Sequence, residues 1–175
     1  MILPAWHEEP VSKSHDRKGF DCADAELNEF LVKYARQSHE SGSAKTFCAM
    51  DDARPGKILG FYSITPTQLD YGRVPDGWRK GLPRHDVGGF RLARLATDRS
   101  VQGQGLGGQL LGAAARRVIL AAASVGGLIL VIDAKNDRAA DWYASYGGVR
   151  LDDAPRTLVM SLSTFAADLK ARGNL

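Results

Sequence analysis

A run of glycines, VQGQGLGGQLL at residues 101–111, sets the strongest limits on how this chain can fold. Four glycines fall within six positions, and because glycine loses more backbone entropy on folding than other residues, this density needs a local reason. The preceding segment FRLARLAT alternates like a strand and ends at Thr97, whereas apolar residues after Leu106 recur at helical spacing. A strand that leads through glycines into a helix start gathers backbone N–H groups at the positive end of the helix dipole. The segment is therefore predicted to bind an anion.

Apolar patterns before the glycine run predict a helix and then a hairpin. The helix is expected to be capped by Asp24, to end near Gly42 and to carry the apolar stripe Leu27, Phe30, Leu31 and Tyr34. The runs TFCAM and KILGFYSI are separated by DDARPG, whose proline and glycine favour a turn, and they predict two paired strands.

After the glycine run, a helix from Leu106 to Ala122 and the buried strand LILVI are predicted. Asn136 is expected to cap a short helix that ends at Gly147 and Gly148. VRL and TLVMSL are strand candidates, and Thr164 is expected to cap a last helix. The chain therefore mixes strands and helices throughout.

The composition is that of an ordinary globular protein. The chain has 175 residues, 44% of them hydrophobic and 25% charged, which predicts a single domain over residues 1–175. No apolar stretch approaches the roughly 20 residues of a membrane-spanning helix, and MILPAWHEEP carries two glutamates where a signal peptide is apolar. A cytoplasmic protein with no membrane partner is therefore expected.

The cysteines and histidines show no metal-binding spacing, so no metal is expected and the thiols are predicted to be reduced and packed. These residues are Cys22, Cys48, His7, His15, His39 and His85.

Basic residues are concentrated between Tyr71 and Arg99. This stretch contains seven basic residues and three aspartates, while the whole chain carries a net charge of +3. They are Arg73, Arg79, Lys80, Arg84, Arg91, Arg94 and Arg99. The stretch from Tyr71 to Gly89 is predicted to be a loop, because glycine, proline and charge replace periodic apolar residues. Charge alone leaves two interpretations, a surface that follows a phosphate backbone or a solvated loop with no specific partner.

Two anion-binding patterns fit the glycine run. Gly103, Gly105 and Gly108 match the GxGxxG of dinucleotide-binding folds, with Asp133 closing the next strand. However, five residues separate Thr97 from Gly103, and only 42 residues follow Asp133, too few to complete a two-half sheet. The second pattern, Gln102-x-x-Gly105-x-Gly107 after RLAT, resembles the pyrophosphate loop of the GNAT superfamily of acyl-CoA-dependent N-acetyltransferases.

The resemblance extends over most of the chain. The segments GFDCADAELNEFL, LGFYSI, RLARLATDRSVQGQGLGGQLL and AADWYASYGG occur in the order seen in one GNAT branch, the acetyltransferase toxins of type II toxin–antitoxin modules. This resemblance implies the GNAT fold, an α+β (three-layer α/β) architecture whose mixed central sheet has a splayed cofactor strand and is flanked by helices. It also implies acetyl-CoA as cofactor, a homodimer and a ribbon-helix-helix antitoxin.

The resemblance implies a set of cofactor-binding residues. Leu95, Ala96 and Thr97 would bind the pantetheine arm through the backbone. The pyrophosphate would lie against Gln102, Gly103, Gln104, Gly105, Leu106, Gly107 and Gly108. Arg99 and Asn136 are further cofactor-binding candidates.

By the same resemblance, Tyr143 in DWYASYGG would be the general acid for the departing thiolate. Tyr146 is a competitor, and both could instead be core aromatics. Trp142 and Tyr146 share a helix face at i, i+4, whereas Tyr143 lies about 100 degrees away, so the two tyrosines cannot serve equivalently. The family more often has phenylalanine where this chain has Trp142, and Gly-Phe where it has Gly147-Gly148. These departures affect the expected packing around Tyr143 and not its presence.

The kind of acceptor amine is inferred from the lack of glutamate in most of the chain. Many GNAT enzymes that act on lysine use a glutamate base, since a lysine amine has a pKa near 10.4, but this chain has no glutamate after Glu40. An α-amine titrates near 7.7 to 8.0 and needs less help from a base. The leading interpretation is acetylation of the aminoacyl group of charged tRNA, with Arg84, Arg91 and Arg94 as tRNA-binding candidates. The alternatives are a protein N-terminus or small amine as acceptor, a non-catalytic acyl-CoA-binding or antitoxin-binding module, and a nucleotide-binding fold.

Overall fold

Seven strands form one mixed sheet in the computed structural model, which describes residues 2–173. The strands are β1 (Trp6–Pro10), β2 (Lys45–Asp51), β3 (Ile58–Leu69), β4 (Val87–Thr97), β5 (Ile129–Asp133), β6 (Val149–Arg150) and β7 (Thr157–Ser161). Their order in the sheet is β1-β2-β3-β4-β5-β7-β6. The pairs β1–β2, β2–β3, β5–β7 and β6–β7 are antiparallel, whereas β4 and β5 run parallel. The predicted mixed sheet and the predicted hairpin, β2 with β3, are confirmed.

Five α-helices accompany the sheet in residues 2–173. They are α1 (Ala25–Lys33), α2 (Ala35–Ser41), α3 (Leu106–Val125), α4 (Asp137–Ser145) and α5 (Leu162–Ala171). The predicted caps at the first and fourth helices are confirmed, because Asp24 Oδ1 accepts from the N–H groups of Glu26 and Leu27, and Asn136 Oδ1 accepts from Ala139 N–H. None of these helices is long and apolar enough to cross a bilayer.

The sequence-based elements were wrong in four places. The single helix predicted from Asp24 to Gly42 is two helices, because Tyr34 has φ −119° and is half exposed. Thr164 caps nothing, since β7 leads directly into α5 at Leu162. The predicted loop contains two short 3-10 turns, and its last residues already belong to β4. β1 was missed because WHEEP lacks the apolar alternation of a strand and pairs only with β2 in the described residues.

The chain divides into two compact units, each with its own apolar cluster. One unit comprises the residues up to Thr65 and Ala93–Ala114, and the other comprises Pro66–Leu92 and the residues from Ala115 onward. In the first, the Phe61 ring contacts Phe20 and Phe30, with ring centroids 5.5 and 6.1 Å apart. In the second, buried branched residues of β4, β5 and β7 pack together; they include Val87, Ile129, Val131 and Val159.

The backbone is strained at Ala23, just before α1. Among residues 2–173, it is the one non-glycine residue with positive φ, at 67°. A left-handed conformation costs an L-residue about 1–2 kcal/mol. The N–H of Ala23 donates to Asp21 Oδ1 at 2.9 Å, a contact that helps to hold this conformation.

Ala23→Gly is expected to raise the free energy of unfolding by about 0.5–1 kcal/mol, since relief of the strain exceeds the extra entropy that glycine loses. Ala25→Gly is the matched control, because Ala25 is also exposed but lies in the first turn of α1. Ala25→Gly should lower the free energy of unfolding by up to about 1 kcal/mol. Urea titrations of both variants measure the two signs, and a loss of stability in Ala23→Gly would contradict the inferred strain.

Candidate active site

The loop between β4 and α3 has the backbone geometry that its glycines predict. It begins with a 3-10 turn at Arg99–Val101 and ends where α3 starts at Leu106. Gly103 and Gly105 have φ of 78° and 92°, in the region that favours glycine. A Cβ atom on either residue would meet no atom within 4 Å, so this side of the loop is open. Gly107 and Gly108 instead lie in the first turn of α3.

The start of α3 presents backbone donors. Gln109 N–H donates to Gly105 O at 3.3 Å and is the first N–H of this helix to bond one turn back. The N–H groups of Leu106, Gly107 and Gly108 precede it and have no intrahelical acceptor. Gly105, directly before the helix, has no side chain that could cap them. These donors and the helix dipole suit the diphosphate of a coenzyme.

The two glutamine side chains of the loop turn back toward its base. Gln102 Nε2 donates to Thr97 O at 3.0 Å and to Cys22 O at 3.1 Å, and Gln104 Nε2 donates to Ser100 O at 3.3 Å. These contacts use side chains; in the backbone, Gln104 N–H donates to Val101 O at 3.3 Å, so the donors left for an anion are those of the glycines and of the start of α3. Arg99 is exposed, and its guanidinium lies 3.5 Å from Asp21 Oδ2.

Sequence reasoning missed Asp98, which holds the base of the loop. Its buried carboxylate accepts from Asp21 N–H, Ser100 N–H and the Ser100 hydroxyl, and Lys57 Nζ lies 3.3 Å away. Burial raises the pKa of Asp98, but these hydrogen bonds and Lys57 outweigh it and lower the pKa below its usual value. Aspartate directly after a strand, two residues before serine, was the available signal for such a cap.

β4 extends well beyond its pairing with β5. Within the described residues the two strands pair only over Gly89–Leu92, and β4 continues five residues further to Thr97. The end of β4 thus has backbone groups that β5, which ends at Asp133, does not use. Of the predicted pantetheine residues, Ala96 is buried, whereas Leu95 and Thr97 are partly exposed.

α4 carries the two tyrosines, in clearly different surroundings. Tyr143 is only 8% exposed, and burial raises the pKa of its phenol to about 12. Tyr146 is 46% exposed. The Trp142 ring contacts both in edge-on geometry, with centroids 4.9 Å from Tyr143 and 5.0 Å from Tyr146. Among residues 2–173 the Tyr143 hydroxyl has no hydrogen-bond partner, and it is not a fully buried atom.

Gly148, which stands where the family more often has phenylalanine, lies next to Tyr143. A Cβ atom at this position would lie 3.0 Å from Tyr143 O and 3.0 Å from Leu158 Cδ2. Gly148 N–H donates to Tyr143 O at 3.2 Å. The missing side chain therefore lets the backbone close tightly over the end of α4.

The three predicted tRNA-binding arginines have different surroundings. Arg84 is exposed and has no ion-pair partner in the described part of the chain. Arg91 pairs with the Asp133 carboxylate. The Arg94 guanidinium lies 3.8 Å above the centroid of the Phe30 ring.

Cys22 and Cys48 are both buried, and burial raises the pKa of the Cys48 thiol to about 12, so this thiol is unreactive at neutral pH. Within residues 2–173 no cluster of three or more histidine, cysteine or carboxylate side chains is placed to hold a metal ion.

Comparison with known families decides between the two anion-binding patterns. The profile of the acetyltransferase (GNAT) domain matches residues 42–147. The chain belongs to the GNAT acetyltransferase family. Membership of this family rejects the dinucleotide-binding alternative and makes the glycine loop the candidate acyl-CoA loop.

Similar proteins within this family share a common description. A curated relative, the tRNA-acetylating toxin of Mycobacterium tuberculosis (strain ATCC 25618 / H37Rv), is 31% identical over 136 residues, 78% of this chain and 80% of the relative. The structure of AtaT complexed with acetyl-methionyl-tRNAfMet is 25% identical with a TM-score of 0.88, covering 94% of this chain and 99% of that one. The structure of AtaTR bound with AcCoA is also 25% identical, with a TM-score of 0.82 and coverage of 94% and 98%.

Proposed function

We propose that this GNAT acetyltransferase is a toxin that transfers an acetyl group from acetyl-CoA to the α-amine of the aminoacyl group on charged tRNA. An acetylated amine cannot attack the ester of peptidyl-tRNA on the ribosome, so translation would stop. The observation that carries the proposal is the similarity to a tRNA-acetylating toxin over 78% of the chain. The similarity to AtaT, solved with an acetylated aminoacyl-tRNA, supports the same acceptor.

The residues that would hold acetyl-CoA are those with open backbone geometry. The N–H groups of Gly103, Gly105, Leu106, Gly107 and Gly108 would bind the diphosphate, with Gln102 and Gln104 as flanking candidates. The backbone of Leu95–Thr97 would bind the pantetheine arm as an added strand does. Arg99 and Asn136 are further candidates for cofactor contacts. When bound, acetyl-CoA supplies the acetyl group as an activated thioester.

The acceptor is proposed from the missing glutamate. All five glutamates of the chain lie at or before Glu40, whereas lysine acetylation calls for a base that deprotonates an amine of pKa near 10.4. The α-amine of an aminoacyl ester is neutral to a useful extent at cellular pH. The proposed reaction can therefore proceed without a glutamate base.

Tyr143 is proposed as the general acid, with Tyr146 as the alternative. With a pKa of about 12, Tyr143 keeps its proton over the whole physiological range and can donate a hydrogen bond to a departing sulfur. The Tyr146 hydroxyl lies on a largely exposed side chain, where solvent competes for it.

The pH dependence of kcat follows from the acceptor amine and the Tyr143 phenol. The rate should rise as the acceptor amine loses its proton, with a midpoint below about pH 7.7–8.0 because the ester makes the α-amine more acidic, and then stay level to about pH 10. The raised pKa of Tyr143 keeps the acidic form present in this range, so no alkaline fall is expected from it. Rapid-quench kinetics from pH 6.5 to 10 measures the profile, and a fall that begins near pH 9 would contradict the assignment of Tyr143.

The salt dependence of catalysis tests tRNA against other acceptors. Binding to a phosphate backbone weakens steeply with salt, and removing one phosphate contact lowers the slope of log K against log salt by about 1. Arg84→Ala should do so, with Arg91 and Arg94 as the other proposed contacts. Arg73→Ala is the matched control, because Arg73 belongs to the same basic stretch, is not among the proposed contacts and is paired with Asp153. Acetylation activity that is insensitive both to salt and to the Arg84, Arg91 and Arg94 substitutions would favour a protein N-terminus or a small amine as acceptor.

The remaining proposals concern assembly and location. We propose a single catalytic domain over residues 1–175, a homodimer, a ribbon-helix-helix antitoxin as partner and a cytoplasmic site of action. Light scattering of the purified protein tests the dimer. Co-expression with the protein encoded by the adjacent gene tests the partner, which should copurify and suppress acetylation.

A further inference from the structure

We propose that the segment Gly19–Asn28, here called the brace, positions the glycine loop for acetyl-CoA, and that Gln102 is the positioning residue that joins the two. The inference rests on the proposed function only for the identity of the ligand. The brace is the GFDCADAELN stretch, which the proposed mechanism does not otherwise use. All of the contacts that connect it to the loop lie in the first compact unit.

Gln102 makes the first connection. Its carboxamide nitrogen donates both protons to carbonyl oxygens, one to Thr97 at the end of β4 and one to Cys22 in the brace. A primary amide has two N–H donors, and both are used. Gly103, with φ 78°, follows Gln102 directly in the chain. The side chain therefore fixes the residue directly before the first glycine of the loop.

The backbone of Asp21 makes the second connection, to Asp98 and Arg99 at the start of the loop. Asp21 N–H donates to Asp98 Oδ2 at 3.0 Å, and Arg99 N–H donates to Asp21 O at 2.8 Å. Asp98 in turn holds the 3-10 turn that precedes the glycines through Ser100. The brace thus contacts both ends of the segment from Asp98 to Gln102.

Within the brace, the Asn28 side chain on α1 holds Asp21 and Cys22 in place. Asn28 Oδ1 accepts from Cys22 N–H at 2.9 Å, and Asn28 Nδ2 donates to Asp21 Oδ1 at 3.0 Å. The left-handed Ala23 aims the Cys22 carbonyl within this network, and strained residues persist where their surroundings determine them fully. Phe20 anchors the other end in the core against Phe61.

Pre-organisation gives the connection its effect on binding. A loop rich in glycine has many conformations to lose when it closes around a ligand, and ordering it in advance lowers the entropic cost of binding. Loss of the Gln102 contacts should weaken acetyl-CoA binding without changing the chemistry at the acetyl group. The signature is a raised KM for acetyl-CoA with an unchanged kcat.

The experiment compares Gln102→Met, which keeps the length of the side chain but removes both donors, with Asn28→Ala, whose side chain contacts only the brace among the described residues. We expect the KM for acetyl-CoA to rise about tenfold in Gln102→Met and about threefold in Asn28→Ala, with kcat at saturating acetyl-CoA within about twofold of the wild-type value. In the double variant the two effects should combine to less than their product, because both act through Cys22. Gln109→Ala is the matched control; its side chain accepts from Trp6, and the KM should not change.

A second readout needs no ligand and so separates this inference from the proposed function. Hydrogen exchange of the unliganded protein should quicken in Asn28→Ala at Arg99 and Gln104, whose N–H groups donate to Asp21 O and Val101 O, although Asn28 is on another element. If the wild-type protein fails to bind acetyl-CoA and the exchange still quickens, the proposed function is wrong and the brace stands. If the wild-type protein is active, and Gln102→Met changes only thermal stability or kcat, the brace is wrong. Multiplicative KM effects in the double variant would also overturn it.

Discussion

Tyr143→Phe is expected to lower kcat about 10²- to 10⁴-fold, the usual contribution of a positioned general acid. The substitution removes one oxygen and keeps the buried ring and its contact with Trp142. Because burial raises the pKa of Tyr143 to about 12, the lost group is a protonated donor over the entire working range. The KM for acetyl-CoA should change little, since the proposed diphosphate contacts come from the glycine loop.

Tyr146→Phe is the control for this prediction. Tyr146 is on the same helix, contacts the same tryptophan and is 46% exposed, so the loss of its hydroxyl should leave kcat within about threefold. Single-turnover rates with acetyl-CoA and charged tRNA measure both variants. A large loss in Tyr146→Phe with a small one in Tyr143→Phe would transfer the proposed acid role to Tyr146. Circular dichroism spectra identical to that of the wild-type protein exclude unfolding as the cause.

Gly105→Ala is expected to raise the KM for acetyl-CoA about 100-fold, which corresponds to about 2.7 kcal/mol. Gly105 has φ 92°, where an L-residue is strained, and its Cβ would project into the open space where the diphosphate is proposed to lie. The strain would move the loop, and the methyl group would separate the backbone donors from the phosphate oxygens.

Gly112→Ala is the matched control, because Gly112 lies inside α3, its φ is not positive and a Cβ there meets no atom within 4 Å. This substitution should stabilise the protein by up to about 1 kcal/mol and leave the KM unchanged. Calorimetric titration with acetyl-CoA measures both affinities. Equal affinities of Gly105→Ala and the wild-type protein would show that the loop does not bind the diphosphate.

Local sequence patterns were sufficient for most of the fold. The cap at Asp24, the cap at Asn136, the hairpin of β2 and β3 and the long helix after Leu106 all depend on residues close together in the chain, and each was found. The helix break at Tyr34 and the start of α5 at Leu162 were not found, because Tyr34 is neither glycine nor proline and neither helix start has a side-chain cap. β1 exists through its partner β2, so its own residues gave no signal.

The candidate site was predictable where glycine residues determine the backbone conformation. Positive φ at Gly103 and Gly105 follows from residue type, but the direction of a glutamine side chain does not. Gln102 stays a predicted cofactor contact, but that its side-chain amide donates to Cys22 O, 80 residues earlier in the sequence, could not be predicted. Asp98 was overlooked for the same reason, since its partners Asp21 and Lys57 are brought to it only by the fold.

The mass of the product formed on charged tRNA tests the proposed function most directly. Total charged tRNA is incubated with the protein and isotopically labelled acetyl-CoA, digested with ribonuclease and separated by liquid chromatography with mass spectrometry. The account predicts an aminoacyl-adenosine that is heavier by one labelled acetyl group on its α-amine, and that is absent with heat-inactivated protein. Acetyl label found only on protein N-termini or small amines, with no acetylated aminoacyl-adenosine from any isoacceptor, would contradict it.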